Sequence, residues 1–345
     1  MKLKEDEYVN GKRWAALGIA AALFIFSVVI NTFTTIFSKD FQTTMDEFMN
    51  PTSGLVTEEV IEEGNMMKKI AVLDVNGTIQ DTGDTSSIFA AAGYNHQAFL
   101  ENLDYAKEDD AVKGIIIRVN SPGGGVVESA QIHDKIVEIQ KETKKPVYIS
   151  MGSMAASGGY YISAPANKIF ASPETLTGSL GVIMQGINYA GLAEKYGVKF
   201  ETIKSGEFKD IMSPSREMTE EERAILQEMI NSSYNGFVKV ISEGRDLPEE
   251  EVRRIADGRI YDGRQAKKLH LIDDFGYFED VVDVMKKDYK LKDAQIIQYT
   301  EDLGFASLFT MGARKLAGQE DIELAGLMNV LSQRNSPRLM YLYAE

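Results

Sequence analysis

Cysteine is absent from this chain of 345 residues, which excludes disulfides, zinc–thiolate centres and a thiol nucleophile. Histidine is scarce: His96, His133 and His270 are the only imidazoles, so any site built on histidine must draw on these three. Positive charge is also in short supply. Lys and Arg number 37 against 52 Asp and Glu, a net charge of −15, and no basic stripe is present to neutralise phosphates, which argues against nucleic-acid binding. Internal repeats and low-complexity tracts are missing too. What remains, 44% apolar and 26% charged residues, suits a globular body with a sizeable core.

One long uncharged run stands out. Trp14 to Ser38 carries no charge over 25 residues, with an apolar heart at WAALGIAAALFIFSVVI, enough to cross a hydrocarbon layer as a helix. Lys12 and Arg13 precede it, and seven acidic residues against Lys39 follow it up to residue 66, so the body is expected outside the cell with the N-terminus inside. A cleaved signal peptide would need small residues just past the run, but INTFTTIFSKDF is bulky there, so an uncleaved anchor is expected. The organisation expected is a cytoplasmic N-terminus at 1–13, a transmembrane anchor at 14–38, an acidic stalk at 39–66, a catalytic body at 67–300 and an apolar tail at 301–345.

Within the body, short apolar runs alternate with amphipathic stretches, the signature of βαβ crossovers and hence of an α/β fold. Strands are predicted at 69–77, 114–120, 146–151, 168–172, 179–184 and 199–204, and helices at 96–109 and 126–142. A long helix is predicted over 219–244, opened by a capping box of Thr219 and Glu222 and closed by Gly244, with shorter helices beyond it. The tail, rich in Leu, Met and Tyr, is unusual for a chain end and predicts packing or a contact between subunits.

The chemistry centres on three segments. SMAASGGYY places Ser157 after a strand and before a stretch able to form a helix, with Ala155, Ala156, Gly158 and Gly159 around it. A sharp strand-to-helix turn that presents a nucleophile needs such small neighbours. Ser153 lacks them because Met151 stands at the first small position. NSPGGG, residues 120–125, follows an apolar strand; its glycines can aim backbone N–H groups at an oxyanion or a phosphate, or simply make a tight turn. As a dinucleotide fingerprint it fails, because the third glycine position falls on Glu128. IKSGEFKDIM supplies Lys209. A lysine amine titrates near 10.4 in water, so one acting as a base near neutral pH must sit in a dry pocket away from carboxylates. Taken alone, this segment reads as a solvated surface lysine, since Glu207 and Asp210 flank it.

NSPGGG, SMAASGGYYIS, TLTGSLGVIM and IKSGEFKDIMSPSREMTEEER occur in the order and spacing of the bacterial signal peptide peptidases of the SppA type, and the chain resembles that family over residues 68–290 and in its anchor. The single-copy length resembles the Gram-positive form. The resemblance implies a ClpP/crotonase-like spiral of βαβ units. It also implies Ser157 as nucleophile, Lys209 as general base, Ser179 as the hydroxyl that bonds the lysine amine, and the N–H groups of Gly124 and Gly158 as the oxyanion hole. It implies no metal or organic cofactor. In the doubled family members the serine and lysine come from different halves of one chain, so here they would come from neighbouring protomers of a ring-shaped homo-oligomer at the membrane, acting on released signal peptides and other short or unfolded peptides.

Two other readings stay in view. Ser157, Asp257 or Asp262, and His270 fall in the chain order of Ser/His/Asp hydrolases. A non-catalytic membrane-anchored scaffold, or an acyl-CoA binder using the glycine loop, would need no base at all. The terminal NSPRLMYLYAE is a further expectation: it could enter a neighbouring active site as a pseudo-substrate.

Overall fold

The computed structural model describes residues 56–81, 94–301 and 339–343. The anchor expected at 14–38 lies outside the described residues, and among those described no helix is long and apolar enough to cross a membrane.

In chain order the body begins with β1 (Val56–Glu62), β2 (Asn65–Asn76), α1 (His96–Glu108), β3 (Val112–Ser121), β4 (Gly123–Gly125), α2 (Val126–Thr143) and β5 (Val147–Ala156). There follow α3 (Gly158–Ser163), β6 (Lys168–Ala171), β7 (Leu176–Gly178), α4 (Ala190–Lys195), a 3-10 turn (Glu207–Asp210) and α5 (Glu220–Arg245). The remainder is α6 (Glu249–Ile255), β8 (Ile260–Asp262), α7 (Gly263–Lys268), β9 (Asp274–Phe275), α8 (Phe278–Asp288), β10 (Ala294–Glu301) and β11 (Met340–Leu342).

Nine of the strands form one sheet in the order β1-β10-β2-β3-β5-β6-β9, with β7 joined to β5 and β8 joined to β7. All neighbours are parallel except the β1–β10 and β7–β8 pairs. Both faces are covered, which is why the central strands read as nearly continuous apolar runs. Ala71, Leu73, Val75, Ile115, Ile117, Val119 and Ile149 face the larger core under α1, α2 and α5. The alternating Ile70, Val72, Ile116 and Tyr148 face a smaller core under Val281, Val282 and Met285 of α8. The fold is therefore α/β, with a mixed, mostly parallel sheet.

The sheet changes partners midway along β5, and that change creates the site. Tyr148 to Ser150 pair with β6, whereas Met154 to Ala156 pair with β7, so the end of β5 leaves its first neighbour and is held by a second.

Two predicted strands are corrected. Residues 179–184 are not a strand, because Gly178 at φ 89° and Ser179 at φ 50° turn the chain out of extended geometry right after β7. Residues 199–204 form no strand either, and Phe200 and Ile203, apolar in the pattern, are exposed. Residues 56–62, expected in the stalk, pair antiparallel with β10. The capping box of Thr219 and Glu222 opens α5 as predicted, but the helix continues through Gly244 to Arg245. Gly244 serves close packing instead, since a β-carbon there would lie 2.3 Å from the Ala164 carbonyl oxygen.

Candidate active site

Ser157 stands on the turn from β5 to α3 with φ 52° and ψ −114°, a conformation that side-chain-bearing residues rarely adopt. Such strain costs on the order of 1 to 3 kcal/mol and persists only where the surroundings enforce it. They do so here. Its N–H donates to the Gly178 carbonyl at 2.8 Å, tying the turn to β7, and its own carbonyl accepts from Tyr160 and Tyr161 to start α3. A β-carbon on Gly158 would sit 2.7 Å from Ser129 Oγ and 3.1 Å from Gly124 N, so the following position must be glycine. Ser157 is 1% exposed, and its Oγ has no hydrogen-bond partner among the described residues. A buried hydroxyl left without a partner is uncommon, and Ser157 shares this only with Ser129 and Tyr299 among the described residues, but alone of the three it stands on a strained turn.

The glycine loop is itself a short strand. On one edge Gly123 O and Gly125 N bond Ile79 at 2.8 Å each. Alternation along a strand therefore turns the Gly124 N–H to the opposite edge. There lies β11, antiparallel, with Tyr341 opposite Gly124 and Tyr343 N donating to Pro122 O at 2.9 Å. On its far side Met340 exchanges both backbone bonds with Ile183 at 3.0 Å. The C-terminal segment thus lies between the glycine strand and a single bridge at Ile183. A β-carbon on Gly123, whose φ is 100°, would lie 2.0 Å from Tyr341 O and 2.6 Å from Gly158 N, so the Tyr341 carbonyl oxygen and the Gly158 amide share one small space. Gly124 and Gly158, the two predicted oxyanion donors, are indeed brought together, and a peptide carbonyl of the tail lies against them. The tail, expected to enter a neighbouring active site, here lies against the glycine strand of its own chain.

The Tyr341 side chain fills an aromatic slot that the sequence reading missed. It stacks on Tyr161 at 4.8 Å between ring centres and packs on Phe237 at 4.7 Å, while its hydroxyl donates to Ser233 O at 3.1 Å. The available signal was the Tyr160–Tyr161 pair just after the nucleophile turn.

Ser179 follows the carbonyl that holds Ser157 and donates its N–H to Arg259 O at 2.8 Å. It lines a cleft of about 370 Å³ shared with Leu342, Asn231 and Tyr234. Lys209 is not brought to Ser157 within the chain: it sits exposed on the 3-10 turn, and its ammonium makes no hydrogen bond or ion pair with any described residue.

The histidines are engaged elsewhere. His96 is buried between the Tyr94 hydroxyl and Gln131, His133 contacts Asp134 and the edge of the Tyr161 ring, and His270 is exposed past the end of α7. Asp262 caps α7, and Asp257 pairs with Arg259. No imidazole completes a Ser/His/Asp set around Ser157 among the described residues.

Comparison with known proteins agrees with this arrangement. Residues 139–292 match the family described as "Peptidase family S49", and residues 86–177 match "Clp protease". A provisionally named signal peptide peptidase SppA of Enterococcus faecium is 43% identical over 357 aligned positions, covering 97% of this chain and 99% of that protein. Protease 4 of Haemophilus influenzae is 31% identical over 82% of this chain but only 48% of its own length. The chloroplastic serine protease SPPA of Arabidopsis thaliana is 32% identical over 64% of this chain and 32% of its own. With a relative so similar along almost its whole length, and a ClpP-like body carrying a serine on a strained turn beside a glycine strand, the chain belongs to peptidase family S49 as a signal peptide peptidase of the SppA type.

Proposed function

We propose that the chain is a membrane-anchored serine endopeptidase in which Ser157 of one protomer works with Lys209 of a neighbouring protomer in a ring-shaped homo-oligomer. The neutral lysine amine takes the Ser157 proton as Oγ attacks a peptide carbonyl, and the N–H groups of Gly124 and Gly158 hold the oxyanion. The C–N bond breaks with the proton passed to the leaving amine, and water then hydrolyses the acyl-enzyme. Ser179 bonds the lysine amine from the side of β7. These steps require no metal or organic cofactor. The helix expected at 14–38 keeps the body at the outer face of the cell membrane, where released signal peptides and other short or unfolded chains are the substrates.

The observation that carries this reading is the buried, strained and unpartnered Ser157 hydroxyl in a chain whose Lys209 is exposed. A neighbour brings the missing base, and the segment that carries Lys209 exposes apolar residues that suit such a contact: Ile187, Tyr196 and Ile203 are 72%, 74% and 102% exposed. A peptide substrate would lie where β11 lies, as an added strand between Gly123–Gly125 and Ile183. The tail then competes with substrate. The test is purified Lys209→Ala, folded and assembled: it should lose peptide cleavage, and cleavage at the normal rate would remove the base assignment. A fluorophosphonate that fails to label Ser157 would favour the scaffold reading.

A further inference from the structure

Any lysine base in this fold faces a local difficulty, because Asp210 directly follows Lys209. A free carboxylate there would favour the protonated, inactive amine. The segment that carries both residues is also weakly tied down: from Gly181 to Met218 it adds no strand to the main sheet, and most of its apolar side chains are exposed.

Its main attachment is one arginine. Arg216 holds Asp210 by a fork, Nε to Oδ2 at 2.9 Å and Nη2 to Oδ1 at 2.7 Å, and reaches the Asp210 carbonyl at 3.1 Å. Its other face grips Glu222 through both carboxylate oxygens, one of them at 2.8 Å. The Arg216 carbonyl accepts from Asn188 Nδ2, which secures the strand-less segment on the other side. Lys204 adds a second cation to Asp210 at 2.6 Å while bonding Glu207 O. Glu222 is 2% exposed and closes the capping box of α5, whose other half is sunk in the core through Phe237, Val238 and Ile241. Arg216 therefore connects the Lys209 turn to a fixed helix end, and it holds the carboxylate of the residue that follows Lys209.

Resting on the reading of Lys209 as the base, we propose that Arg216 is a positioning residue: it clamps the 3-10 turn to the start of α5 and keeps the Asp210 carboxylate occupied, so that Lys209 is presented to the neighbouring Ser157 without a competing counter-ion. The charged groups around this turn are Lys204, Glu207, Asp210, Arg216 and Glu222, and only Arg216 bridges the two carboxylates.

The test is a set of full-length variants assayed with one fluorogenic peptide across pH. Arg216→Ala should lower kcat by about 30-fold or more with KM little changed, as expected for a base displaced by an ångström or so. The acid limb of its kcat/KM profile should move up by about one pH unit, because Asp210 loses its fork and is left with Lys204 alone, so that its charge is less fully neutralised beside the amine. Adding Asp210→Asn to Arg216→Ala should return the profile towards wild type, a rescue that a purely structural arginine would not give. Should Arg216→Ala fail to assemble, Arg216→Lys keeps the charge without the fork and should show the same shift in smaller measure. An unmoved pH profile, or a displaced profile that Asp210→Asn does not restore, overturns the clamp while leaving the dyad standing. Full activity in Lys209→Ala overturns the dyad, and the clamp with it.

Discussion

Removing the tail strand should activate the enzyme, and the structure sets the scale. A chain ending at Asn335 lacks β11 and everything it contributes to the cleft. On the favourable side are burial of Tyr341, about 2 to 3 kcal/mol, two aromatic contacts of about 1 kcal/mol each, and four hydrogen bonds of about 0.5 to 1.5 kcal/mol each, namely two to Ile183, one to Pro122 and one to Ser233. Against them stands the ordering of five residues at about 1 to 1.5 kcal/mol each. The balance is on the order of 1 to 3.5 kcal/mol, so the cleft is open for about 0.3 to 15% of the time and kcat/KM for a short peptide should rise about 6- to 400-fold on truncation. The assay compares full-length and truncated protein in the same detergent, with size measured alongside activity. Tyr341→Ala should fall between the two, and a synthetic RLMYLYAE peptide should inhibit the truncated form. Equal kcat/KM in the two forms at equal oligomer size would refute the reasoning, because a strand that leaves access unchanged does not occupy the substrate's place.

Mixing inactive Ser157→Ala and Lys209→Ala protomers before assembly should recover activity, because about a quarter of the interfaces in a random ring would then join an intact serine to an intact lysine; a mixture as inactive as its parents would argue for a site within one chain. Gly124→Ala puts a β-carbon 1.9 Å from the Ile79 carbonyl oxygen and displaces an oxyanion donor. Its kcat should fall about 100- to 1,000-fold, with a lowered melting temperature as a second readout. The Arg216 clamp also has an acid signature. Bonding to Arg216, with the Thr219 N–H, holds Glu222 down to about 2 from 4.5, and Arg216 and Lys204 hold Asp210 below its usual range. A lowered carboxylate stabilises fully above its unfolded value and ceases to do so as pH falls through its folded one. Between pH 4.5 and 2, acid should therefore lower the melting temperature of wild type more than that of Arg216→Ala, and equal slopes would count against the clamp.

Sequence reading succeeded where local chemistry decides the structure. Ser157 with its small neighbours could only be a tight turn, and Thr219 with Glu222 could only open a helix. It failed where a distant partner decides. The run SLGVIM is apolar because Ile183 borders the cleft and bonds Met340, not because it enters the sheet. KFETIK reads as a strand by composition, yet Phe200 leans only on the Tyr189 ring at 6.0 Å between centres and stays half exposed, and Ile203 is fully exposed, so neither side chain enters a sheet. β1 was hidden by its acids, which an edge strand tolerates on its solvent side. The role of the tail was legible only as an oddity of composition, since nothing local reveals that Tyr341 belongs between Tyr161 and Phe237.

The glycine strand and the lysine turn meet opposite demands. Gly123 to Gly125 are held by Ile79, by α3 and by β5 before any substrate arrives, so the oxyanion donors are pre-set and a peptide need only add itself as a strand. The proposed base, Lys209, rides on a segment with little core of its own, tied at one end by the bonds of Arg216 to Asp210 and Glu222 and otherwise exposed. A free protomer would then hold a nucleophile without a base, with its cleft filled by its own C-terminus. Each condition restrains proteolysis separately. Under the proposed mechanism, assembly would supply the base but leave the tail in place, and displacing the tail would open the cleft without supplying a base. It follows that a truncated chain kept monomeric should stay inactive, whereas truncation within the ring should show its full effect.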